Sequence, residues 1–387
     1  MEWLSTLEAE AATRQTAGLR RELRPRGAAG ADSMIDLAGN DYLGLARHPG
    51  VLAAAARALA DYGLGATGSR LVRGSTELHA ALEAGLAHLL GAPTALVYSS
   101  GYLANLGAIR ALVRPGTLIV SDAHNHASIV DGCRLACAGR AGRDGAATVV
   151  APHADPGAVH AILAGFPGRP AVVVSESVFS VDGDLAPLAE PHAVTRAHGA
   201  ILMVDDAHAV GVIGPHGAGG VAAAGLAGQP DVVVTATLSK SLGAAGGVIA
   251  GPAQLARHLV DTGRTFIFDT ALPPALAAGA LAALDLLTAG DDLRAELAGR
   301  VARAVRRLRG EGLEVFTPDG AVVSVAAPSA DEALAWATAC RDRGVAVGCF
   351  RPPSTPDGRS RLRLTVNVGV PAAAFDHALD IVVKERP

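Results

Sequence analysis

The sequence is poor in aromatic residues, and it lacks long runs of charge or of apolar residues. Aromatic residues make up 3% of the 387 positions, which argues against a surface that stacks on nucleic-acid bases. The formal net charge is -4, and the only basic cluster is a small one near the N-terminus, so an electrostatic nucleic-acid site is not expected. No apolar run free of glycine and charge approaches the roughly 18 residues of a membrane span. We therefore expect neither a nucleic-acid partner nor a membrane segment.

Cysteine is also scarce. The four cysteines, at positions 133, 137, 340 and 349, fit neither the spacing of a zinc site nor a disulfide framework. We interpret them as reduced, buried thiols. The acidic N-terminal residues lack the apolar stretch of a signal peptide. We expect a cytoplasmic protein without a metal site.

What the sequence does contain is apolar strands separated by helices. Hydrophobic residues make up 50% of the chain and charged residues 18%, which is typical of a globular protein with an ample core. The predicted strands are 95–98, 117–121, 147–151, 171–175, 200–204, 231–236 and 247–250. Their alternation with helices predicts a mostly parallel sheet covered on both faces, with ligands beyond the carboxyl ends of the strands.

The two ends of the chain differ from this central part. A helix is predicted at 3–24 and a short strand at 35–37. After Pro273–Pro274, helices alternate with short strands, which predicts a second, smaller α+β domain. The expected segments are an N-terminal helix and arm at 1–50, a large domain at 51–270 and a small C-terminal domain at 271–387.

A glycine pattern near the start of the large domain invites a wrong interpretation. Gly63–Gly68 matches the pattern G-x-G-x-x-G. The dinucleotide fingerprint requires a strand before this pattern and a helix that opens within it, whereas a predicted helix at 51–62 precedes it here. We therefore reject NAD binding.

One stretch, Val232–Val248, combines a buried strand, a lysine and a glycine-rich turn. Thr237, Ser239 and Ser241 surround Lys240. A lysine amine beside hydroxyls and glycines at a strand end suits a nucleophile next to a phosphate. Taken alone, Lys240 fits a solvated loop lysine equally well.

A second apolar strand ends in Asp205, and His208 follows three residues later. A carboxylate at this strand end would lie in a low-dielectric crevice and would need a partner. The alternatives are a salt-bridged structural aspartate or a metal site formed with His208, for which the ligand set is thin.

Together, Lys240, Asp205 and a histidine at a predicted helix start, His126, fit pyridoxal phosphate. This cofactor needs a lysine for its aldehyde and a carboxylate that keeps its ring nitrogen protonated. It also needs donors such as a helix N-terminus for its phosphate, and Ser100–Tyr102 at the start of the predicted helix 102–113 supplies one. Alone, His126 would fit a satisfied core histidine; the joint pattern favours a functional role.

Over nearly its whole length the chain resembles the α-oxoamine synthase family of fold-type-I pyridoxal-phosphate transferases. The resemblance rests on Asn40–Leu45, Ser100–Asn105, Asn125–Ser128, Ser177–Asp184, Val204–His208, Thr237–Lys240, Phe350–Ser354 and Arg361–Thr365. It implies an α/β fold with a large, mostly parallel sheet that binds the cofactor, and a smaller α+β domain. It also implies condensation of an amino acid with an acyl thioester, with loss of carbon dioxide, in a homodimer whose subunits share active sites.

The resemblance assigns the cofactor contacts residue by residue. Lys240 resembles the lysine that binds the cofactor covalently, Asp205 the partner of the ring nitrogen, and His126 the residue that stacks on the ring; these three would be catalytic. His208 would contact the 3-oxygen of the ring. The other cofactor contacts would be Gly101, Tyr102, Ser180 and Thr237.

The same resemblance assigns the substrate contacts. They would be Arg20, Asn40, His126, Ser354 and Arg363. Asn40 and Arg363 would hold the carboxylate of the amino acid, although Arg363 alone would fit a surface ion pair. Ser354 replaces the threonine that is usual in the family and keeps its hydroxyl. Gly68–Ser69 and Thr270 would reach the neighbouring subunit.

Within the family, the chain is most similar to the member that condenses L-alanine with a pimeloyl thioester of coenzyme A or a carrier protein. Glycine-using members stay an alternative, because one methyl group in a pocket is worth only about 1–3 kcal/mol. A plain aminotransferase and a non-catalytic pyridoxal-binding regulator are further alternatives. The regulator would usually carry a DNA-binding module, and the sequence contains no basic helix-turn-helix segment.

Overall fold

The computed structural model describes residues 1–28, 34–138, 145–355 and 357–387, and these residues form two sheets flanked by helices. The helices are α1 (Glu2–Thr16), α2 (Pro49–Tyr62), α3 (Glu77–Leu89), α4 (Gly101–Leu112), α5 (Ala127–Cys137), α6 (Pro156–Ala164), α7 (Ala189–Ala197), α8 (Gly220–Ala223), α9 (Ala253–Thr262), α10 (Arg264–Ile267), α11 (Pro274–Thr288), α12 (Asp291–Gly310), α13 (Ala330–Asp342) and α14 (Ala372–Lys384). The strands are β1 (Ile35–Leu37), β2 (Thr94–Tyr98), β3 (Leu118–Asp122), β4 (Ala147–Ala151), β5 (Ala171–Glu176), β6 (Ile201–Asp205), β7 (Val232–Thr237), β8 (Gly247–Gly251), β9 (Val322–Ala326), β10 (Val345–Phe350) and β11 (Arg361–Thr365).

The large sheet has seven strands in the order β2-β8-β7-β6-β5-β3-β4. Only β8 is antiparallel to its neighbours; the other six strands run in one direction. The carboxyl ends of these six strands therefore meet at one edge, where ligands bind in open α/β sheets. The predicted fold-type-I architecture, with a mostly parallel sheet, is confirmed.

Both faces of the large sheet are covered, which explains its valine-rich strands. Val172 and Val174 pack on one side with residues of α4 and α5, whereas Val173 packs on the opposite side. Strand β6 alternates in the same way, with Met203 on one side and Leu202 on the other. Successive side chains of a strand point to opposite faces, so a doubly covered strand must be apolar throughout.

The second sheet has four strands in the order β1-β10-β11-β9. Strand β1, from the N-terminal arm, pairs in parallel with β10, and the other pairs are antiparallel. The predicted smaller α+β unit is therefore present. Helix α11, which Pro274 opens, packs against α2 and α3, so the two proposed domains contact each other through this helix. We keep the boundaries at residues 50 and 270 as a proposal.

Three elements of the structure differ from those expected from the sequence. The helix predicted over 3–24 ends at Thr16, because Gly18 adopts a positive φ of 65° and the Leu19 N–H bonds back to the Arg14 carbonyl, as at glycine helix ends. Helix α6 was not predicted; Asp155 caps it. Among the short strands expected after Pro273–Pro274, the one predicted at 314–316 is reduced to a single bridge, between Val315 and Val325.

Two further expectations can be compared with the described residues. Cys133 and Cys340 are buried, whereas Cys137 and Cys349 are half-buried, and all four are free thiols. The prediction of four buried thiols was therefore wrong for Cys137 and Cys349.

None of the helices in the described ranges combines the length and hydropathy that a transmembrane span requires.

Candidate active site

The predicted lysine and aspartate lie at neighbouring strand ends of the large sheet. Asp205 is the last residue of β6, and Lys240 follows three residues after the end of β7. Lys240 is half-buried, and removal of its amine from water lowers its pKa to about 8, although the negative charges of Asp205 and Glu176 oppose the shift. A sizeable fraction of this amine is therefore uncharged, and nucleophilic, near neutral pH.

A hydrogen-bond network fixes the Asp205 carboxylate. Its Oδ2 accepts a 2.7 Å hydrogen bond from Asn105 Nδ2, and its Oδ1 accepts a 3.0 Å bond from the Ala207 N–H. Asn105 also donates to Ser128 Oγ at 2.8 Å and accepts from Thr235 Oγ1 at 2.6 Å. Asp205 is buried, and the network fixes its carboxylate at the carboxyl end of β6.

The two alternatives for Asp205 find no support in the part of the chain that the structure describes. There, no arginine, lysine or histidine lies within ion-pair distance of its carboxylate. The same residues contain no group of three or more potential metal ligands. Asp205 is therefore neither a structural ion-pair partner nor part of a metal cluster among those residues.

His208 and Tyr42 form a second buried pair. The Tyr42 hydroxyl lies 2.6 Å from His208 Nδ1. Burial, together with the charges of Lys240 and Arg363, holds the pKa of His208 well below its usual value, and burial raises the pKa of Tyr42 to about 12. His208 is consequently neutral and Tyr42 protonated at physiological pH, so the pair can orient a polar atom without adding charge.

Arg363 brings a buried cation to the site from the small sheet. Its guanidinium is held by neutral groups: Nε donates to the Ser180 carbonyl at 2.8 Å, and both Nη atoms donate to Asn40 Oδ1 at 3.2 Å. The face of the guanidinium lies 5.2 Å from the centre of the Phe350 ring. Among the described residues Arg363 has no carboxylate partner, although buried charges are usually paired. The predicted pair Asn40–Arg363 is thus formed, and its charge is available for an anion.

The start of α4 lies against the turn that carries Lys240. Ser100 caps the helix by accepting a hydrogen bond from the Leu103 N–H at 3.2 Å. A Cβ at Gly101 would lie 3.0 Å from Thr237 Cβ, and one at Gly247 would lie 2.4 Å from the Ser100 carbonyl oxygen. Only glycines allow this close approach of backbone, which leaves the free N–H groups of the helix start beside Thr237. Such a helix start suits a phosphate.

Two predicted contacts lie around this helix start. Thr237 Oγ1 donates to the Gly246 carbonyl at 3.0 Å and accepts from the Ser239 N–H at 3.2 Å. Tyr102 keeps 42% of its surface exposed, and its hydroxyl donates to Asp131. The Tyr102 ring is therefore a solvent-facing wall of the site.

His126 and Ser180 are connected through a carboxylate that sequence reasoning missed. His126 caps α5 and is exposed; its N–H donates to Glu176 Oε1 at 2.7 Å. Glu176 is the last residue of β5 and pairs in register with Asp205. The backbone N–H of Ser180 also faces this carboxylate and lowers its pKa. The sequence signal was available, because Glu176 follows an apolar strand as Asp205 does.

Two predicted substrate contacts, Arg20 and Ser354, lie in a separate cleft of about 1340 Å³. Arg21, not Arg20, donates to Ser354 Oγ, at 3.0 Å. Arg20 donates to Gln15 at 3.3 Å. Within the described part of the chain, the only acid in the lining of this cleft is Glu22, whereas six lining residues are arginines: Arg14, Arg20, Arg21, Arg24, Arg341 and Arg351. In the described residues no hydrogen bond joins Arg20 or Ser354 to the groups around Lys240.

The residues predicted to reach a neighbouring subunit are close together. Ser69 and Thr270 form an antiparallel bridge, and the Ala271 N–H donates to the Gly68 carbonyl at 3.0 Å. Leu71, Val72 and Phe268 near this bridge are exposed. A contact with a second subunit at this position remains a prediction.

The fold and the site together define a fold-type-I pyridoxal-phosphate transferase. Residues 32–382 match the family Aminotransferase class I and II. The 8-amino-7-oxononanoate synthase of Mycolicibacterium smegmatis is 52% identical over 368 residues, which cover 95% of this chain and 92% of the relative. The chain therefore belongs to the aminotransferase class I and II family and, within it, to the α-oxoamine synthases.

Solved structures agree with this assignment. Serine palmitoyltransferase from Sphingomonas wittichii matches with a TM-score of 0.89 at 32% identity, covering 98% of this chain and 96% of that one. The crystal structure of 8-amino-7-oxononanoate synthase from Francisella tularensis matches with a TM-score of 0.77 at 26% identity, covering 92% of this chain and 98% of that one. The resemblance identified from the sequence motifs is confirmed.

Proposed function

We propose that this chain condenses L-alanine with a pimeloyl thioester, releasing carbon dioxide and the carrier thiol, and so produces 8-amino-7-oxononanoate. The observation that carries the proposal is the buried Arg363 guanidinium, which only neutral oxygens hold, at the same site as the amine of Lys240. A cation and a nucleophilic amine in one crevice fit an α-amino acid bound by its carboxylate. The names of the similar synthases support the choice of substrates.

The residues present fit pyridoxal phosphate. Lys240 offers the amine for its aldehyde, Asp205 is the acid for its ring nitrogen, and His126 lies at the start of α5 to face the ring. His208 would contact its 3-oxygen. The glycine-permitted approach of the α4 start to Thr237 forms a cradle that a Cβ would fill, and Gly101, Tyr102, Ser180 and Thr237 would hold the phosphate and the ring edge.

When it is bound, pyridoxal phosphate draws electrons away from the Cα atom of an attached amino acid. The side chains of this protein do the remaining work. Arg363 and Asn40 hold the alanine carboxylate and so fix the direction of the Cα–H bond. Lys240 Nζ, with its lowered pKa, takes the Cα proton and later returns a proton to the product. The buried pair Tyr42–His208 orients polar atoms without competing for that proton.

The acyl donor would enter from the arginine-lined cleft. Arg20 and Ser354 would contact it there, and the basic walls suit the anionic groups of coenzyme A or of an acidic carrier protein. We further propose a cytoplasmic homodimer, in which Gly68–Ser69 and Thr270 face the second subunit and complete its site. Exposed apolar side chains beside the Ser69–Thr270 bridge support this interface.

The test is release of free thiol from acyl thioesters of different lengths, with alanine or glycine as the second substrate. We expect alanine with pimeloyl-coenzyme A or the pimeloyl carrier protein to give the highest kcat/KM. Preference for glycine with acetyl- or succinyl-coenzyme A would overturn the alanine assignment and favour a glycine-using member of the family. Amino-group transfer to an oxo acid without thiol release would favour a plain aminotransferase.

A further inference from the structure

Glu176 is a buried acid at the centre of the site that the proposed reaction does not use. Only 2% of its surface is exposed. In the described residues it forms no ion pair with an arginine, lysine or histidine. Burial and the neighbouring negative charge of Asp205 raise its pKa well above the usual value. A buried acid without an ionic partner lowers stability unless hydrogen bonds compensate.

The Glu176 carboxylate interacts with the backbones of two separate functional segments. Its Oε1 accepts the His126 N–H at 2.7 Å, where α5 begins. The Ser180 N–H faces the same carboxylate and lowers its pKa. The carbonyl of Ser180 in turn accepts the 2.8 Å hydrogen bond from Arg363 Nε. One carboxylate at the end of β5 thus connects the histidine at the ring with the arginine at the substrate carboxylate.

The surroundings of Glu176 define what it can do. Asp205 lies beside it on β6, and Lys240 faces it from the turn after β7. Against the effect of burial, the charge of Glu176 raises the pKa of Arg363 in the small sheet, and it adds to the effect of burial in raising the pKa of Tyr42 in the N-terminal arm. Its hydrogen bonds hold the protein backbone, so its action on the reaction goes through His126 and Ser180.

We propose that Glu176 is a positioning residue that sets the His126 ring and, through the Ser180 carbonyl, the Arg363 guanidinium at the same time. The proposal rests on the proposed function, because it assigns Arg363 to the carboxylate of the amino acid. It predicts that loss of the Glu176 oxygens weakens amino-acid binding, even though Glu176 does not touch the amino acid.

The test compares E176A and E176Q with D231N in the cofactor-loaded protein. Asp231 is a partly buried acid directly before β7, at the amino ends of the parallel strands and so away from the site. It pairs with His192 at 3.1 Å, and D231N therefore controls for replacing an acid by an amide. The main measurement is the dissociation constant of alanine from the change in visible absorption, recorded without any acyl thioester. Thermal unfolding of each protein without cofactor gives the cost to the fold.

We expect E176A to raise the alanine dissociation constant about tenfold to a hundredfold, the range for losing hydrogen bonds to a charged group. E176Q keeps one acceptor oxygen and should give an intermediate value, while D231N should bind alanine as the wild type does.

Alanine affinity within twofold of wild type in both Glu176 variants would overturn the proposal. If E176A does not fold, E176Q alone decides, because it preserves the shape of the side chain. The measurement needs no thioester turnover, and glycine can replace alanine in it. A failure of the alanine and pimeloyl assignment would therefore leave this test unaffected, and a failure here would leave thiol release by the wild type unchanged.

Discussion

Asn105 and Asp205 are 100 positions apart in the chain, and a 2.7 Å hydrogen bond joins their side chains. Asn105 lies on α4, which packs on one face of the large sheet, and Asp205 ends the central strand β6. Because the Asn105 amide is also fixed by Ser128 and Thr235, the direction of the Asp205 carboxylate is set by three other elements of the fold.

Replacing Asn105 by alanine should therefore weaken cofactor binding. The variant leaves an oxygen of Asp205 and the hydroxyl of Thr235 without their partner, which costs about 1–3 kcal/mol. We expect the dissociation constant of pyridoxal phosphate to rise by about tenfold in titrations of the cofactor-free protein. Asn367→Ala is the control, since Asn367 is a buried amide that donates to the Asp36 carbonyl in the small sheet. Equal cofactor affinity in both variants would contradict the prediction.

The amine of Lys240 should be unusually reactive in the cofactor-free protein. Its pKa of about 8 leaves about a tenth of the amine uncharged at pH 7, far more than for an ordinary lysine, whose pKa is about 10.4. The chain contains only one other lysine, the exposed Lys384. Mass spectrometry after brief reductive methylation should therefore show that modification of Lys240 rises with pH and levels off above about pH 8.

The lowered pKa of Lys240 also makes the stability of the fold depend on pH. Between pH 8 and 10.5 the unfolded chain binds more protons than the folded one at Lys240, so this group makes the fold more stable as pH rises through that range. Lys240→Met should remove this contribution.

The methylation experiment has its own contradicting outcome. Labelling of Lys240 no faster than that of Lys384 at pH 7 would show that the amine is an ordinary one.

Arg363→Lys should separate charge from geometry at the carboxylate-binding position. Lysine keeps the positive charge and lacks the planar fork that binds a carboxylate with two hydrogen bonds. We expect KM for alanine to rise about tenfold or more, with a smaller change in kcat. Arg303→Lys, at an exposed ion pair with Asp376, should leave both constants unchanged. A kcat loss without a KM change would place Arg363 outside the binding of the amino acid.

His153 should stabilise the fold at neutral pH and lose this effect in alkali. Its ring nitrogens lie 2.9 Å from Asp122 and 2.9 Å from Asp184, and these carboxylates raise its pKa to about 9 against the effect of burial. The folded protein therefore binds more protons than the unfolded chain between pH 6.5 and about 9. The stabilisation is complete below pH 6.5 and disappears as pH rises through about 9.

His153→Asn measures this contribution. We expect the variant to lose about 2 kcal/mol of unfolding free energy at pH 6 and to approach the wild type at pH 10, as judged by urea denaturation. His198→Asn, at a half-buried histidine that contacts His160 and, within the described ranges, no carboxylate, controls for general effects of removing a ring. A difference that stays constant from pH 6 to pH 10 would mean that His153 acts by packing, not by charge.

The sequence predicted the positions of Lys240 and Asp205 well, for a simple physical reason. Each follows a run of apolar, β-branched residues that can only be a buried strand, and parallel strands bring such ends to one edge. The starts of α4 and α5 were equally readable, because Ser100 and His126 precede helical segments. Lysine is also rare in this chain, because only two of its 33 lysine and arginine residues are lysines. This scarcity is a further indication that Lys240 has a special role.

The relations that the sequence did not predict depend on register and on packing between distant elements. Glu176 reaches the site because it pairs in register with Asp205 on the neighbouring strand, and Asn105 does so because α4 packs on β7 and β8. Arg20 and Arg21 are adjacent and chemically identical, so only the backbone direction after Gly18 decides which of them meets Ser354. None of these relations leaves a periodic pattern in the sequence.

The amine of Lys240 belongs to the seven-stranded sheet and the guanidinium of Arg363 to the four-stranded one. A molecule bound by both groups therefore connects the two sheets, whereas an amine without a carboxylate would contact only the group on the seven-stranded sheet. Binding of an α-amino acid should therefore also stabilise the arrangement of the two sheets, and binding of an amine should not. An amino acid should slow proteolytic cleavage of the segments that join the sheets, and an amine of the same size should not.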